Sequence, residues 1–468
     1  MAARLALRLT FALGVLIALA PSANGQTPVR RAPAVLAAGP MLGPATHRDV
    51  TLWVMTDHVG SVAVDYAPVA QDTSGPYRPA TAGRVAVVTG PDGVATIAIA
   101  NLEPGTRYRY SLVVDGEPVE RPYPLEFRTQ PLWQYRTDPP AFTIAVGSCA
   151  YVNDAPYDRP GTPYGGDYQI FEAIAGLNPD AMIWLGDNTY TREVDWESPD
   201  GIAYRYAHTR ALPEMQRLLA TASHYATWDD HDYGPNDSDR SYVLKSASLN
   251  TFRRFWPNPT AGLPNFPGVF TQFRWADVDV FLLDDRFHRS PNAAPVDSAK
   301  TILGDLQLAW LLDALTASRA PFKLVGIGGQ VLPTDEMPGS ETYATIAPHE
   351  RQYLLDEIAR RGIEGVVLVS GDVHHTELMR LDRPGTYPLY EFTSSPLTAA
   401  AAPPQYARVN SLTVEGTFVQ GQRNFGTLTV TGPRTARVLT MRTYDTDGVL
   451  LWEHEVAASD LRTPSADR

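Results

Sequence analysis

The feature that most constrains this chain is a series of apolar runs that each end in polar, chemically active residues. After residue 141 these runs alternate with helical patterns, which indicates an α/β domain. Ligands of an open α/β sheet bind outside the carboxyl ends of its strands. We therefore expect one rim that gathers the ends GSC (147–149), GDNTY (186–190), WDDHD (228–232), DDR (284–286), GGQ (328–330) and SGDVHH (370–375).

The residue types at these ends predict a site for two metal ions. Crowded carboxylates repel one another unless a cation offsets their charge. Two metal ions about 3.5–4 Å apart can clamp a phosphoryl group and activate a water or hydroxide. The thiolate of Cys149 and the phenolate of Tyr190 would suit an iron centre. The oxygen atoms of Asp230, Asp372 and Gln330 would suit Ca²⁺, Mg²⁺ or Mn²⁺.

Other polar residues of the same ends have predicted roles around these metals. Asp187 would bridge the two ions. His231 would protonate a leaving alkoxide as general acid. Planar guanidinium groups hold phosphate oxygens well, so Arg286 and Arg289 are predicted to bind substrate, and Asn236 completes this predicted set.

Each of these residues also has a structural explanation. Cys149 would serve as a small core residue, since free cysteines often do, and Arg286 would simply pair with Asp284 or Asp285. The Gly-Asp pairs at 186–187 and 371–372 occur in ordinary turns, and residues 229–232 would form a solvated acidic loop. The repeated placement at strand ends is what favours the functional interpretation.

Three predicted segments precede the catalytic region: a signal peptide, an all-β domain and a linker. Residues 1–25 have the positive start, short apolar run and small residues of a signal peptide, with cleavage expected before Gln26. Residues 34–130 contain alternating strand-like segments separated by turns, which predicts an all-β sandwich, and residues 131–141 are a predicted linker. The catalytic domain is expected over residues 142–458, with pocket-shaping loops near 151–166 and 232–275.

The net charge and the cysteine count exclude two further classes of protein, general nucleic-acid binders and disulfide-bonded scaffolds. A net charge of −13 over 468 residues argues against a general nucleic-acid binder. The single cysteine excludes an internal disulfide. No later stretch is long enough to span a membrane, so we predict a secreted or periplasmic protein, with a monomer favoured.

In order, the motifs GSC, GDNTY, WDDHD, LLDDRFHR and SGDVHH resemble the PhoD-like alkaline phosphatase family of the binuclear metallophosphatase (calcineurin-like) superfamily. YEFTSSPLT at 390–398 and NFG at 424–426 also resemble family segments, and residues 102–110 resemble a fibronectin type III strand in which Tyr108 ties a loop to its backbone. The resemblance covers about residues 34–455. It implies an α/β fold with a metallophosphatase β-sandwich core flanked by helices, preceded by an all-β fibronectin III-like domain.

The resemblance also implies a reaction and ligands for it. It implies a phosphomonoesterase and phosphodiesterase that acts at alkaline pH through a metal-bound hydroxide, with Fe³⁺ and one or two Ca²⁺, although other divalent metals remain open. Iron would be held by Cys149, Asp187, Tyr190 and His374. Calcium would be held by Asp187, Asp230 and Asp372, with Gln330 where relatives in the superfamily often have histidine.

Two departures from the family pattern stand out. Cys149 replaces the superfamily's opening Asp-x-His, as it does in PhoD-like proteins. No twin-arginine pair precedes the apolar run, which leaves the export route open. Two alternatives also remain. One is a diesterase specific for nucleotides, phospholipid headgroups or wall polymers, and the other is a non-catalytic binding protein.

Overall fold

The computed structural model describes residues 32–72, 77–334, 341–403 and 410–464. The predicted signal peptide and its cleavage site lie outside these residues. The strands and helices are numbered in chain order, and all those described below lie between Ala34 and the carboxyl terminus.

The described residues form three sheets. In spatial order the nine-stranded sheet contains β20 (Leu450–Ala457), β19 (Val438–Asp445), β18 (Asn424–Thr431), β9 (Phe142–Gly147), β10 (Ala181–Leu185), β11 (Ser223–Thr227), β1 (Leu36–Ala45), β2 (Val50–Thr56) and β5 (Val94–Ile99). The six-stranded sheet contains β12 (Thr271–Trp275), β13 (Val278–Leu282), β14 (Lys323–Gly326), β15 (Val366–Ser370), β17 (Leu389–Thr393) and β16 (Glu377–Leu381). The five-stranded sheet contains β4 (Gly83–Val88), β3 (Ser61–Gln71), β6 (Thr106–Val114) and β7 (Glu117–Val119), with β8 (Glu126–Arg128) paired to β6.

Helices cover the outer faces of the two larger sheets. The described α-helices are α1 (Ile170–Gly176), α2 (Pro199–Arg210), α3 (Gln216–Thr221), α4 (Asp230–Tyr233), α5 (Lys245–Phe255), α6 (Asp305–Ala317), α7 (Tyr343–Ile346) and α8 (Pro348–Arg360), and short 3₁₀ helices cover Pro213–Met215 and Ala458–Leu461. None of the helices in the described part of the chain has the length and apolar character needed to cross a bilayer.

The two larger sheets pack face to face, and β10 shows why its sequence is uniformly apolar. Ile183 and Leu185 point into the core between the sheets, together with Leu282 and Leu324 of the six-stranded sheet. Trp184 points the opposite way, into a second core beneath the helices. A strand buried on both faces has no polar side to show in its sequence.

The sequence pattern suggested that the chemically active strand ends belong to one open sheet. The structure shows that they come from two sheets. β9, β10 and β11 are parallel neighbours in the nine-stranded sheet, whereas β13, β14 and β15 are parallel neighbours in the six-stranded sheet. Two stacked sheets bring their strand ends to a common edge, as in the β-sandwich core that the family resemblance implied.

The amino-terminal strands share a sheet with the catalytic strands. β1 pairs in parallel with β11, with Leu42 opposite Ser223, so β1, β2 and β5 extend the nine-stranded sheet. One face of these three strands packs on the five-stranded sheet, in a core that contains Leu52, Ile97 and Val64. All elements described in residues 34–130 are strands. The nine-stranded sheet contains strands from both sides of the predicted boundary at residue 131.

The predicted role of Tyr108 is confirmed. Its buried hydroxyl accepts a hydrogen bond of 3.0 Å from the backbone N–H of Glu103, five residues earlier. The ring also stacks on Phe127 of β8, with 5.2 Å between the ring centroids.

Replacing Tyr108 by phenylalanine should lower the free energy of unfolding by about 0.5–1.5 kcal/mol, because it removes one buried hydrogen bond and keeps the ring. Denaturant titration followed by tryptophan fluorescence measures this loss. Tyr135, which is 97% exposed, provides the matched control, so Tyr135→Phe should leave the unfolding midpoint unchanged. Equal midpoints for both variants would contradict the corner role.

Candidate metal centre

Close backbone approach brings strand ends together, once between the two larger sheets and once within the nine-stranded sheet. A Cβ atom at Gly371, after β15, would lie 2.4 Å from the side chain of Ser148, after β9. A Cβ atom at Gly186, after β10, would lie 2.7 Å from the Cβ of Asp229, after β11. Only glycine allows either approach, which is why these strand ends begin with glycine.

Four of the predicted metal ligands have left-handed backbone conformations. The φ angles are 60° at Cys149, 52° at Asp187, 67° at Asp372 and 55° at His374. Such angles are uncommon for residues other than glycine, and they persist where the surrounding structure holds them. Here the backbone N–H of Cys149 donates to the carbonyl of Gly186 at 3.2 Å, and that of Ala150 donates to the carbonyl of Asp187 at 2.8 Å.

The first group of potential ligands contains Cys149, Asp187 and His374. One ligand atom from each lies within 4.8 Å of the others, and Cys149 Sγ is 3.9 Å from Asp187 Oδ2. The hydroxyl of Tyr190 is 3.1 Å from His374 Nε2, so this phenol also borders the group. The hydroxyl of Ser395 donates to the buried Cys149 Sγ at 3.2 Å.

The second group contains Asp187, Asp230 and His231, again with ligand atoms within 4.8 Å of one another. The backbone N–H of His231 donates to Asp187 Oδ1 at 3.2 Å, which places α4 against the end of β10. Asp187 thus belongs to both groups, with one oxygen toward Cys149 and the other toward α4. A carboxylate shared in this way is suited to bridging two cations.

A third group was not predicted from the sequence. Asp230, Asp237 and Glu341 have carboxylate oxygens within 4.8 Å of one another, and the backbone N–H of Asp237 donates to Asp230 Oδ2 at 2.7 Å. Asp237 lies in the segment that was expected only to shape the pocket. Glu341 follows no recognisable motif, so no signal in the sequence identifies it.

Burial and mutual repulsion disfavour the charged forms of Cys149, Asp187 and Asp372 in the absence of a cation, whereas, despite burial, nearby cationic groups lower the pKa of Asp230 and Glu341. Burial raises the pKa of Cys149 to about 11. Burial, and then the charge of Asp230, raise the pKa of Asp187 well above its usual range. The same two causes raise the pKa of Asp372 to about 7. A bound cation would reverse these shifts, because it stabilises the deprotonated ligands.

Unpartnered buried atoms provide an independent test of whether the site fits a metal. Among the described residues, no hydrogen-bond partner reaches Asp229 Oδ2, Asp230 Oδ1, Asp285 Oδ1 or His231 Nδ1, although all four atoms are buried. Leaving such atoms unsatisfied costs about 1–3 kcal/mol each, more when they are charged. Asp230 and His231 belong to the second group, and their unpartnered atoms, together with the thiol, imidazole and carboxylate donors of the two groups, fit a centre that binds metal ions.

The two predicted phosphate-binding arginines are buried in ion pairs. The guanidinium of Arg286, only 1% exposed, bonds Asp229 and donates to Glu341 Oε2 at 2.9 Å. Arg289 Nη2 is 3.0 Å from Glu341 Oε1. Glu341 thus lies against both guanidinium groups, so a phosphate that bound them at this place would have to displace it. Phosphate binding by either arginine stays a prediction.

Replacing Arg286 by methionine should destabilise the fold by about 3–5 kcal/mol, because it leaves Asp229 buried without its partner. The exposed pair of Arg84 and Asp65 gives the matched control, and Arg84→Met should cost at most about 1 kcal/mol. Denaturant unfolding measures both. Equal losses for the two variants would contradict a stabilising role of the buried pair of Arg286 and Asp229.

Three further predicted residues are Gln330, Asp372 and Asn236. Gln330 Nε2 donates to Glu377 Oε1 at 3.0 Å and to Thr393 at 3.1 Å, so its carbonyl oxygen is the atom left for a metal. Asp372 belongs to none of the three groups within the described residues. Asn236 is exposed, and its amide donates to Asp237 Oδ1 at 2.7 Å. The metal-binding and substrate-binding roles of these residues stay predictions.

Two protein-family models together match most of the chain. The family model described as PhoD-like phosphatase matches residues 144–435. A second model, described as a domain of unknown function (DUF7800), matches residues 33–132. A curated relative, alkaline phosphatase D of Bacillus subtilis (strain 168), is 22% identical over 330 residues, which are 58% of this chain and 54% of the relative. The chain therefore spans about half the length of this relative.

Solved structures match the fold more completely. The structure of PhoD superposes with a TM-score of 0.70 at 17% identity and covers 90% of this chain and 92% of its own. Purple acid phosphatase PPD1 from yellow lupin (Lupinus luteus) seeds has a TM-score of 0.64 at 12% identity, over 90% of this chain and 75% of its own. The mixed α/β fold is thus that of PhoD and purple acid phosphatase, and the match over residues 144–435 shows that the chain belongs to the PhoD-like phosphatase family.

Proposed function

We propose that this protein is a metal-dependent phosphoric ester hydrolase that acts on phosphate monoesters and diesters. The observation that carries the proposal is Asp187, whose two oxygens face the two adjacent groups of potential ligands. Membership of the PhoD-like phosphatase family supports the reaction class.

In this proposal Fe³⁺ is held by Cys149, Asp187, Tyr190 and His374. Calcium is held by Asp187, Asp230 and Asp372, with the amide oxygen of Gln330, and a second calcium fits the group of Asp230, Asp237 and Glu341. When bound, the two kinds of metal ion polarise the phosphoryl oxygens and lower the pKa of water at the site.

The protein's own residues orient the substrate and move a proton. Arg286 and Arg289 would stabilise the charge that develops on the phosphoryl group once the phosphate displaces Glu341 from them, and Glu341 would then serve the second calcium alone. His231 would protonate the leaving alkoxide. Burial lowers the pKa of His231 and the charge of Asp230 opposes this, so the acid role depends on Asp230 remaining ionised beside it.

The remaining features of the proposal extend beyond the reaction. We propose an exported protein, periplasmic or secreted, with a fibronectin III-like amino-terminal domain over residues 34–130, a linker over 131–141 and a catalytic domain over 142–458. The substrate is a small phosphate ester and the protein acts as a monomer. Specificity for diesters alone, as in nucleotides, lipid headgroups or wall polymers, is the second candidate.

The test is hydrolysis of an aryl phosphate monoester and of the matching bis-aryl diester by the purified chain. We expect turnover of both, loss of turnover in EDTA, and recovery when Fe³⁺ and Ca²⁺ are returned together. Turnover of the diester alone would favour the second candidate. Absence of turnover on both, with metal bound, would reject the proposed function.

A further inference from the structure

A basic cleft lies at the opposite end of the six-stranded sheet from the metal centre. It has a volume of about 570 Å³ and is lined by residues that precede or begin β13, β14 and β15, such as Asp277, Lys323 and Gly365. The metal centre follows the carboxyl ends of the same strands. β15 is five residues long, and at about 3.3 Å per residue this separates the two sites by roughly 16 Å.

The cleft is positively charged although the chain as a whole is acidic. Six cationic side chains and two acidic ones line it, whereas the chain carries a net charge of −13. Asp277 pairs with Arg437 at 2.8 Å, so one of the two acidic charges is already offset. The surplus of positive charge indicates an anionic ligand.

Four of the six cations have donors to spare. Arg274 and Arg361 are already paired, with Asp279 and Asp313. The guanidinium groups of Arg319, Arg434 and Arg462 have no hydrogen-bond or ion-pair partner within the described part of the chain.

Lys323 adds a fixed charge to this cleft. The side chain is buried, with 5% of the residue exposed, and the ammonium group donates to the carbonyls of Ala320 at 3.1 Å and Glu364 at 2.7 Å. An ammonium group has three N–H donors, so one remains for a ligand. A buried charge on a strand is held in place, unlike the charges of surface arginines.

Two aromatic rings border these charges. Trp133 and Tyr135 line the same cleft. Tyr135 is 97% exposed and has a φ of 61°, a conformation that bulky residues seldom adopt. This ring thus lies in solvent and borders the same cleft as the arginines. Exposed aromatic rings stack well on nucleobases, whatever the base.

We propose that the cleft binds a nucleoside di- or triphosphate, with its phosphates on Lys323 and the free arginines and its base on the exposed ring of Tyr135. The volume of about 570 Å³ is in the range of small-molecule sites. This site is separate from the proposed hydrolytic function, and neither requires the other.

The test is calorimetric titration of the full chain carrying Asp187→Asn, in EDTA, with the β,γ-imido analogue of ATP. We expect saturable binding of one equivalent. The double variant Arg319→Ala/Arg434→Ala should weaken binding by about tenfold or more, because each removes a charge-assisted bond. The matched control Arg128→Ala/Arg253→Ala removes two exposed arginines elsewhere and should leave affinity within about twofold.

A second arm tests the base with tripolyphosphate, which carries the charge without a ring. Tyr135→Ala should weaken binding of the ATP analogue severalfold and leave tripolyphosphate unchanged, and Tyr135→Phe should retain both. Absence of binding, or unchanged affinity in Arg319→Ala/Arg434→Ala, would overturn the site. Equal affinity of both probes, or no effect of Tyr135→Ala on the ATP analogue, would overturn recognition of the nucleoside.

Discussion

Replacing Asp187 by asparagine should lower kcat/KM by about a thousandfold or more on any phosphate ester that the protein hydrolyses. Asp187 is shared by the two adjacent ligand groups, so a single substitution weakens both. Metal ions supply several kcal/mol of charge stabilisation in phosphoryl transfer, and each 1.36 kcal/mol corresponds to about tenfold in rate. No other residue belongs to both of these groups.

Asparagine also separates loss of the site from loss of the fold. It keeps the shape of the side chain and an oxygen that accepts from the backbone N–H of His231. It removes a charge that burial and Asp230 disfavour in the metal-free protein. We therefore expect metal-free Asp187→Asn to unfold at a denaturant concentration no lower than the metal-free parent.

The measurements are steady-state kinetics, elemental analysis and denaturant unfolding of the same preparations. Asp382, whose side chain is 75% exposed and pairs with Arg380, gives the matched control Asp382→Asn, which should keep full activity and metal. Retention of activity by Asp187→Asn would reject the site. Loss of activity with an unfolded chain would indicate a structural role instead.

The strands of the catalytic region were predictable because burial on both faces leaves a distinct pattern. Ala181–Leu185 and Val366–Ser370 are wholly buried and are read directly as strands. The pairing of β1 with β11 was not predictable, since Leu42 and Ser223 lie far apart in the chain and nothing local connects them. The helix Lys245–Phe255 was missed because the surrounding segment is dominated by turn-forming and aromatic residues.

The candidate site was predictable where it follows strands, and it was missed where long loops contribute. Cys149, Asp187 and His374 come together because their strands end at one edge. Glu341 reaches Arg286 and Arg289 from a segment without a recognisable pattern, and it takes the contacts that were predicted for phosphate. Ser395 lies within a stretch that resembles the family, so a signal existed for it, although its contact with Cys149 required the fold.

Cys149 provides the second large expected effect, which concerns the identity of the metals. The proposed iron group contains the thiol, and the group of Asp230, Asp237 and Glu341 contains carboxylates alone. Thiolates bind transition metals, iron among them, whereas calcium takes oxygen ligands such as carboxylates. Cys149→Ser should therefore lower bound iron from about one equivalent to nearly none, while calcium bound to the purified protein changes little.

The visible spectrum gives a readout that does not depend on activity. A thiolate or phenolate bound to Fe³⁺ produces a charge-transfer band, so the parent should be coloured and Cys149→Ser should lose most of the colour. Ser395→Ala is the matched control, because it removes the hydroxyl that donates to Cys149 Sγ at 3.2 Å and leaves the thiol in place. It should keep its iron, with a band shifted in wavelength. Iron retained at the parent level in Cys149→Ser would show that the buried thiol is a core residue and not a ligand.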